Sequence, residues 1–176
     1  SSYYFMTYNA YDKKSVGLQH DDNKDSEGES DKIIKPILII GSGVFRVGSS
    51  IEFDNSVVIC SRIIESNTCS TENLKHRTII LNHNPETVST DYDESSSLYF
   101  EEISLERILD IIEAENGYAV IVNFGGQVSQ NLIPKLIPYH KNDKIRILGT
   151  APQNIAKAEN RMVFSTILDK HGIKQP

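Results

Sequence analysis

The chain has 176 residues and a formal net charge of -6. This charge argues against a nucleic-acid-binding surface, because such surfaces gain their affinity from Lys and Arg side chains that neutralise phosphates. The length suffices for one domain with additional segments, and no apolar stretch approaches the length of a transmembrane helix. The two cysteines, Cys60 and Cys69, show no metal-ligand spacing, so we expect free thiols in a reducing compartment.

The first third of the chain begins with two segments of contrasting composition. The sequence opens without an initiator methionine or a signal peptide, and we expect both of its ends to lie inside a longer polypeptide. Residues 1–12 are rich in tyrosine, and we expect them to pack against another part of the protein. Residues 13–33 concentrate aspartate and glutamate among small polar residues. Such a composition cannot bury enough apolar area to offset its loss of chain entropy, so we predict a disordered acidic insert over 13–35.

After Pro36 the sequence alternates between strand-like and helix-like patterns. Short apolar runs predict buried strands, and apolar residues at helical spacing predict the helices between them. Strands are predicted at 37–40, 78–81, 98–100, 118–122 and 145–148, and helices at about 49–65, after Ser104, around Leu132 and Leu136, and from Pro152 to about His171. This alternation predicts right-handed crossovers and an α/β fold with an open, mostly parallel sheet of about five strands.

Loops that follow the strands are the expected positions of functional residues, because open α/β sheets bind ligands beyond the carboxyl ends of their strands. The loop after the first strand contains Gly41, Gly43 and Gly48, and glycines there can let backbone N–H groups approach a phosphate. The dinucleotide-binding fingerprint, however, needs its third glycine at the position of Arg46, where a side chain would crowd the helix against the strand. The alternative is that these glycines serve only a tight strand–helix turn.

The loop after the second strand, residues 82–93, is unusually polar. Pro85 fixes a turn, because proline locks its own φ and biases the preceding residue away from the helix. Glu86 and the hydroxyl-bearing residues that follow could form a structural polar loop. They could also line a substrate site, because so many hydrogen-bonding groups need partners. Glu52, at the start of the first helix, could contribute to the same site or simply gain from the helix dipole.

Six separated motifs resemble the large chain of glutamine-dependent carbamoyl-phosphate synthase, in the same order and at about the same spacing. They are Gly41-Ser-Gly-Val-Phe-Arg-Val-Gly48-Ser-Ser-Ile-Glu52-Phe-Asp54, Asn84-Pro-Glu-Thr-Val-Ser-Thr-Asp91, Leu98-Tyr-Phe100, Gly125-Gly126-Gln127, Leu148-Gly-Thr150 and Ala158-Glu-Asn-Arg161. Residues 3–8 also resemble the connector between the two homologous halves of that chain. The second motif is similar to that of the second half, which phosphorylates carbamate with a second ATP.

The resemblance implies a Rossmann-like pre-ATP-grasp domain, related to the N-terminal domain of biotin carboxylase. It implies a connector at 1–12, the pre-ATP-grasp domain at 36–151 and the helical start of the ATP-grasp region at 152–176. It also implies that an unstable carbamate crosses a tunnel protected from water. The residues that the resemblance assigns are Ser50, Glu52 and Glu86 in the tunnel wall, Arg161 on an ATP phosphate, and Gly41, Gly43, Gly48, Gly125 and Gly126 as loop-forming glycines.

For the parent enzyme, the resemblance implies a ligase of pyrimidine or arginine biosynthesis that makes carbamoyl phosphate from bicarbonate, glutamine-derived ammonia and two ATP, with Mg (or Mn) and K ions. The fragment is expected to act as a scaffold and tunnel wall, without catalytic residues or metal ligands, and to be inactive alone. Expected partners are the rest of the large chain and a glutaminase subunit or domain, without nucleic acid or membrane. The expected location is the cytoplasm, with the mitochondrial matrix as the alternative.

Two rival interpretations remain at this point. The chain could be the front domain of another ATP-grasp carboxylase or ligase, although the Asn84–Asp91 motif argues against this. It could also be a nucleotide-binding regulatory or redox module that uses the glycines of the first loop. Titration with a nicotinamide dinucleotide would separate the second rival from the ligase interpretation.

Overall fold

The computed structural model describes residues 36–43, 51–66, 76–91 and 93–175, together with the backbone of Ser2–Tyr4. Its centre is a six-stranded sheet in which all neighbouring strands are parallel. The sheet confirms the predicted α/β class. Its strands are β1 (Ser2–Tyr4), β2 (Ile37–Ile40), β3 (Thr78–Asn82), β4 (Ser97–Phe100), β5 (Ala119–Ile121) and β6 (Arg146–Leu148), in the spatial order β1-β4-β3-β2-β5-β6.

The strand order reverses at β2. From β2 the chain moves outward through β3 and β4, and then returns to place β5 on the opposite side of β2, followed by β6. In the register, Ile39 of β2 lies opposite Ile80 on one side and opposite Ile121 on the other. The loops after β2 and β5 therefore flank the topological switch point, the place where open α/β sheets bind ligands.

Helices connect the strands, and two of the predicted helical regions are divided. The helices are α1 (Ile51–Ser66), α2 (Leu105–Ala114), α3 (Gly126–Gln130), α4 (Ile133–Lys141), α5 (Pro152–Glu159) and α6 (Arg161–Lys170), with a 3-10 helix at Val88–Thr90. Ser104 caps α2 as predicted, and its hydroxyl accepts a hydrogen bond from the N–H of Arg107. Asn160 separates α5 from α6, because its backbone is extended and its side chain caps the second helix.

Side chains of the central strand alternate between two hydrophobic cores. Ile37 and Ile39 pack on the sheet face that α1 covers, whereas Leu38 and Ile40 pack on the opposite face with residues of α2 and α4. All four side chains are buried. Burial on both faces explains why β2 is a continuous apolar run rather than an alternating one.

The pattern does not predict β1, whose backbone forms the edge of the sheet beside β4. Ser2 lies opposite Ser97, and Tyr4 lies opposite Tyr99. This pairing agrees with the expectation that the aromatic start packs against another part of the protein. The acidic insert expected at 13–35 lies outside the described residues. Among the helices that are described, none has both the length and the apolar character needed to cross a membrane.

Candidate functional site

The loops after β2 and β3 are joined at the carboxyl edge of the sheet by one amide side chain. Oδ1 of Asn82 accepts hydrogen bonds from three backbone N–H groups, those of Gly43 at 3.1 Å, His83 at 2.8 Å and Asn84 at 3.3 Å. Asn82 is the last residue of β3 and is fully buried. A side chain with this set of partners fixes the exit direction of both strands and substitutes for the ladder bonds that end there.

A buried carboxylate on α1 completes this junction. Asp54 is 0% exposed, and its Oδ1 accepts hydrogen bonds from Ser42 Oγ at 3.1 Å, Asn82 Nδ2 at 3.0 Å and Ser89 Oγ at 3.2 Å. Its Oδ2 accepts one from Thr87 Oγ1 at 2.7 Å. Burying a charged group is costly unless hydrogen bonds compensate it. Asp54 therefore holds together three segments, namely the loop after β2, the loop after β3 and the first turn of α1.

The polar loop after β3 is ordered largely by its own side chains. Oδ1 of Asn84 accepts from the N–H of Glu86 at 3.2 Å, and Thr90 donates from its hydroxyl to the carbonyl oxygens of Asn84 and Thr87. Asn84, Ser89 and Thr90 are buried, whereas Glu86 is exposed. Asn84, Ser89 and Thr90 thus stabilise the loop from inside, whereas the carboxylate of Glu86 lies at its surface.

The residues predicted from the sequence lie in different settings. Glu52 is exposed in the first turn of α1, and Glu86 is exposed on the loop after β3. Arg161 is exposed at the first position of α6, far along the chain from the junction. Ser50 and Gly48 lie outside the described residues, as does Arg46, so the steric argument against a dinucleotide site stays a prediction.

Glycines bring the loops after β2 and β5 into direct contact at the switch point. A Cβ atom on Gly125 would overlap the carbonyl oxygen of Gly41 and would lie 2.5 Å from Ser129 Oγ. The ring of Phe53 lies against Gly126, whose φ of +59 favours glycine. The backbones of the two loops therefore touch at the point where a dinucleotide-binding sheet would place the pyrophosphate between them.

Sequence reasoning missed the structural role of Asp54 and Asn82, whereas it did note that Thr87 and Ser89 could belong to a structural polar loop. A signal for Asp54 was present in the spacing, since it occupies the same helical face as Val57, Val58 and Ser61, all of which are buried. An acidic residue on an apolar face needs buried donors, and the hydroxyl-rich loop supplies them.

Metal and thiol chemistry are limited in the part of the chain that the structure describes. Within it, no group of three or more His, Cys, Asp or Glu side chains is placed to hold a metal ion. Cys60 is a free thiol on α1, packed beside the core on the α1 face of the sheet. Burial raises the pKa of this thiol above its ordinary value of 9.0, which disfavours the reactive thiolate.

Comparison with known proteins places this arrangement in a family. A family model described as the carbamoyl phosphate synthase pre-ATP-grasp domain matches residues 33–157. The chain belongs to this family. The match confirms the resemblance on which the interpretation of the motifs rests, and it covers the sheet from β2 to β6 together with the Asp54 junction.

Similar proteins contain a segment that matches this chain within much longer sequences. The multifunctional protein URA2 of Saccharomyces cerevisiae is 46% identical over 176 residues, which is 100% of this chain and 7% of URA2. The multifunctional protein CAD of Squalus acanthias is 41% identical over 100% of this chain and 7% of CAD. The mitochondrial arginine-specific carbamoyl phosphate synthase large chain of Schizosaccharomyces pombe is 48% identical over 79% of this chain and 11% of its own length. The chain therefore corresponds to a small part of these relatives.

Proposed function

We propose that the chain is the pre-ATP-grasp domain of the carbamate-phosphorylating half of a glutamine-dependent carbamoyl-phosphate synthase. The parent enzyme would join bicarbonate and glutamine-derived ammonia with the use of two ATP. The observation that carries the proposal is the match of the carbamoyl phosphate synthase pre-ATP-grasp model over residues 33–157, and the 48% identity to the Schizosaccharomyces pombe large chain supports it. The motif Asn84–Asp91, which resembles that of the second synthetase half, supports the choice of half.

Within that enzyme, the domain would form part of the wall of a carbamate passage. Glu52 and Glu86 are both exposed near the carboxyl edge of the sheet, on two segments that Asp54 ties together. Ser50 belongs to the same proposal from the resemblance alone. Exclusion of water would protect the intermediate.

The C-terminal helix supports contact with the rest of the large chain. Met162, Val163 and Phe164 are exposed on α6, and no residue of α6 is buried. Apolar side chains clustered on one exposed helix favour burial against another surface. We propose that the ATP-grasp lobes cover this helix and that they bind most of the nucleotide, with Mg or Mn and K ions. Arg161, at the start of α6, would contact an ATP phosphate, for which a guanidinium is well suited.

The other partner of the parent enzyme would be a glutaminase subunit or domain, which would supply ammonia. The domain itself would act as a scaffold and would be inactive alone. We propose a cytoplasmic location, with the mitochondrial matrix as the alternative, since two of the related large chains are named as mitochondrial.

A domain exchange tests this proposal. The chain would replace the matching segment in the second half of yeast URA2, and, as a matched control, the equivalent segment of the first half. Glutamine-dependent synthesis of carbamoyl phosphate is expected to be retained only in the second-half exchange. Retention in the first-half exchange alone would contradict the assignment to the carbamate-phosphorylating half. Loss in both exchanges, with intact folding, would contradict the proposal as a whole.

The rival nucleotide-binding module is tested with the isolated chain. Titration with NAD or NADP, followed by calorimetry, is expected to show no binding in the micromolar range, because the loops at the switch point touch each other. Micromolar binding of either dinucleotide would favour the rival instead.

A further inference from the structure

Asp54 occupies a position from which it can control the separation of the two carboxylates proposed to line the passage. It lies two residues after Glu52 on α1, and its Oδ2 accepts a hydrogen bond from Thr87, the residue directly after Glu86. One side chain thus connects the backbone that carries Glu52 to the backbone that carries Glu86. The path from Glu52 to Glu86 through this bond is short. It runs through the first turn of α1, the carboxylate of Asp54 and the hydroxyl group of Thr87.

Near Glu86, the loop is joined to other segments through residues that bind Asp54. Asn82 and Ser89 both bind Asp54, and Asn82 also accepts from the N–H of Gly43. Further along the same connection, Ser61 and Arg62 of α1 donate to Glu94. Bonds within the loop, such as that from Thr90 to Asn84, fix its internal shape but not its distance from α1. The contacts of Asp54 therefore hold the Glu86 end of the loop against the first turn of α1, whereas Glu94 holds its other end against a later turn of the helix.

The partners of Asp54 are all neutral donors. In the part of the chain that the structure describes, Asp54 forms no ion pair, and its four donors are two serines, one threonine and one asparagine. A carboxylate accepts from all of them at once, whereas an amide in its place would present an N–H group to at least one of these donors. A carboxylate, which only accepts hydrogen bonds, thus suits a position surrounded by four donors.

We propose that Asp54 is a positioning residue for the carbamate passage, which holds the Glu86 loop at a fixed distance from Glu52. This inference rests on the proposed function and extends it to a residue whose side chain does not line the passage. Displacement of one wall would admit water to the passage, and the carbamate would then be lost before its phosphorylation. The reaction centres themselves, which lie elsewhere, would keep their activity.

The test compares Asp54→Asn with Asp143→Asn in the parent enzyme. Asp143 is an exposed turn residue whose positive φ suits asparagine equally well. Two quantities are measured, namely carbamoyl phosphate formed per ATP hydrolysed, and the second phosphorylation run in reverse from carbamoyl phosphate and ADP. Asp54→Asn is expected to lower the first by about tenfold and to change the reverse reaction by less than about twofold. Asp143→Asn is expected to change neither.

A merely structural role would lower both quantities in proportion, and that result would overturn the inference, as would an unchanged coupling ratio. If Asp54→Asn does not fold, Thr87→Val and Thr87→Ser give the same test. Serine retains the hydroxyl donor and is expected to keep the coupling ratio, whereas valine is expected to lower it. Equal ratios in these two variants would overturn the inference.

Glu86→Ala separates this inference from the proposed function. Uncoupling by Glu86→Ala together with normal coupling in Asp54→Asn would overturn the positioning role and leave the passage in place. Normal coupling in Glu86→Ala would remove Glu86 from the passage wall. That result would overturn both the positioning role of Asp54 and the proposed passage at Glu86.

Discussion

The hydroxyl group of Thr87 donates a hydrogen bond to Oδ2 of Asp54 over 2.7 Å and joins the loop after β3 to the first turn of α1. The other oxygen of the same carboxylate accepts from Ser42, in the loop after β2. The two candidate loops are thus connected through a buried carboxylate rather than through the exposed carboxylates Glu52 and Glu86. The buried residues Asp54 and Ser42 and the half-buried Thr87 hold the loops in place, whereas Glu52 and Glu86 are exposed to solvent.

Substitution of Thr87 by valine tests the energetic weight of this bond. The change keeps the shape of the side chain and removes the only described donor to Oδ2 of Asp54, so a buried carboxylate oxygen loses its partner. We expect the free energy of unfolding of the chain to fall by about 2 kcal/mol. Urea denaturation followed by circular dichroism measures the change.

The matched control is Thr166→Val. Thr166 is exposed on α6 and donates only to the carbonyl oxygen of Met162 one turn earlier, a bond that water can replace. Its replacement is expected to change the unfolding free energy by no more than about 0.5 kcal/mol. Equal effects of the two substitutions would contradict the importance of the Asp54 junction.

Much of the fold could be predicted because its strands are apolar runs that end at glycine or polar residues. The divided helices could not, since the helical spacing of Leu132, the N-cap of α4, and Leu136 does not mark the break that precedes α4. The edge strand β1 was missed because three residues are too few to show a periodic pattern. The apolar pattern of each strand is local, whereas the break between α5 and α6 depends on the side-chain cap of Asn160 and β1 depends on its pairing with β4.

The site was predictable only in part. Motifs predicted Glu52 and Glu86 without any geometric information; both are exposed in the structure, and their role stays a prediction. Asp54 was missed, because an acidic residue in the first turn of a helix is usually solvated and gains from the helix dipole. Its burial depends on Asn82 and Ser89, which lie 28 and 35 residues further along the chain. Contacts at that separation cannot be inferred from the composition of either segment alone.

A second carboxylate, Glu65, anchors the other end of α1 and provides another prediction. Its Oε1 accepts from the N–H and hydroxyl groups of Ser96, at 3.0 and 2.6 Å, and from both corresponding groups of Thr78. Glu65→Ala leaves two backbone N–H groups at the start of the sheet without this partner. We expect a loss of about 3 kcal/mol in unfolding free energy, measured by urea denaturation.

Two further variants serve as controls for the loss of unfolding free energy in Glu65→Ala. Glu65→Gln retains an acceptor oxygen and is expected to cost less than the alanine variant. Glu113→Ala, on the exposed face of α2, is expected to stay within about 0.5 kcal/mol of the unmodified chain. An alanine variant of Glu65 that is as stable as that of Glu113 would show that water satisfies the four donors equally well.

Gly125→Ala should disrupt the contact between the loops after β2 and β5. The added methyl group would overlap the carbonyl oxygen of Gly41, which belongs to the backbone and cannot rotate away. We expect destabilisation of about 3 kcal/mol or more, seen as a lower midpoint of thermal unfolding. Gly117→Ala is the control, because its nearest neighbour would be the carbonyl oxygen of Pro36 at 3.4 Å, an ordinary contact distance. Similar midpoints for both variants would contradict the close approach.

Arg161→Ala tests the proposed contact with ATP in the parent enzyme. Loss of the guanidinium is expected to raise the KM for ATP, or to lower the turnover, of the second phosphorylation by about tenfold, since a charge-assisted bond to a phosphate is removed. Steady-state kinetics of carbamoyl phosphate synthesis with varied ATP measures the KM, and the reverse reaction from carbamoyl phosphate and ADP measures the turnover of the second site. Lys170→Ala, an exposed cation in the last turn of the same helix, is expected to have normal kinetics. Normal kinetics for Arg161→Ala as well would identify Arg161 as an ordinary surface residue.

Burial of Cys60 predicts a pH dependence of both its reactivity and its contribution to stability. The raised pKa means that the folded chain retains the thiol proton at pH values where the unfolded chain releases it, so the contribution of Cys60 to stability decreases as the pH rises above 9.0. Alkylation requires the thiolate. In a Cys69→Ser background, iodoacetamide should therefore modify folded Cys60 more slowly than the same residue in urea, with a half-maximal rate above pH 9.0. A half-maximal rate below that pH would show that the thiol is solvated rather than packed against the sheet.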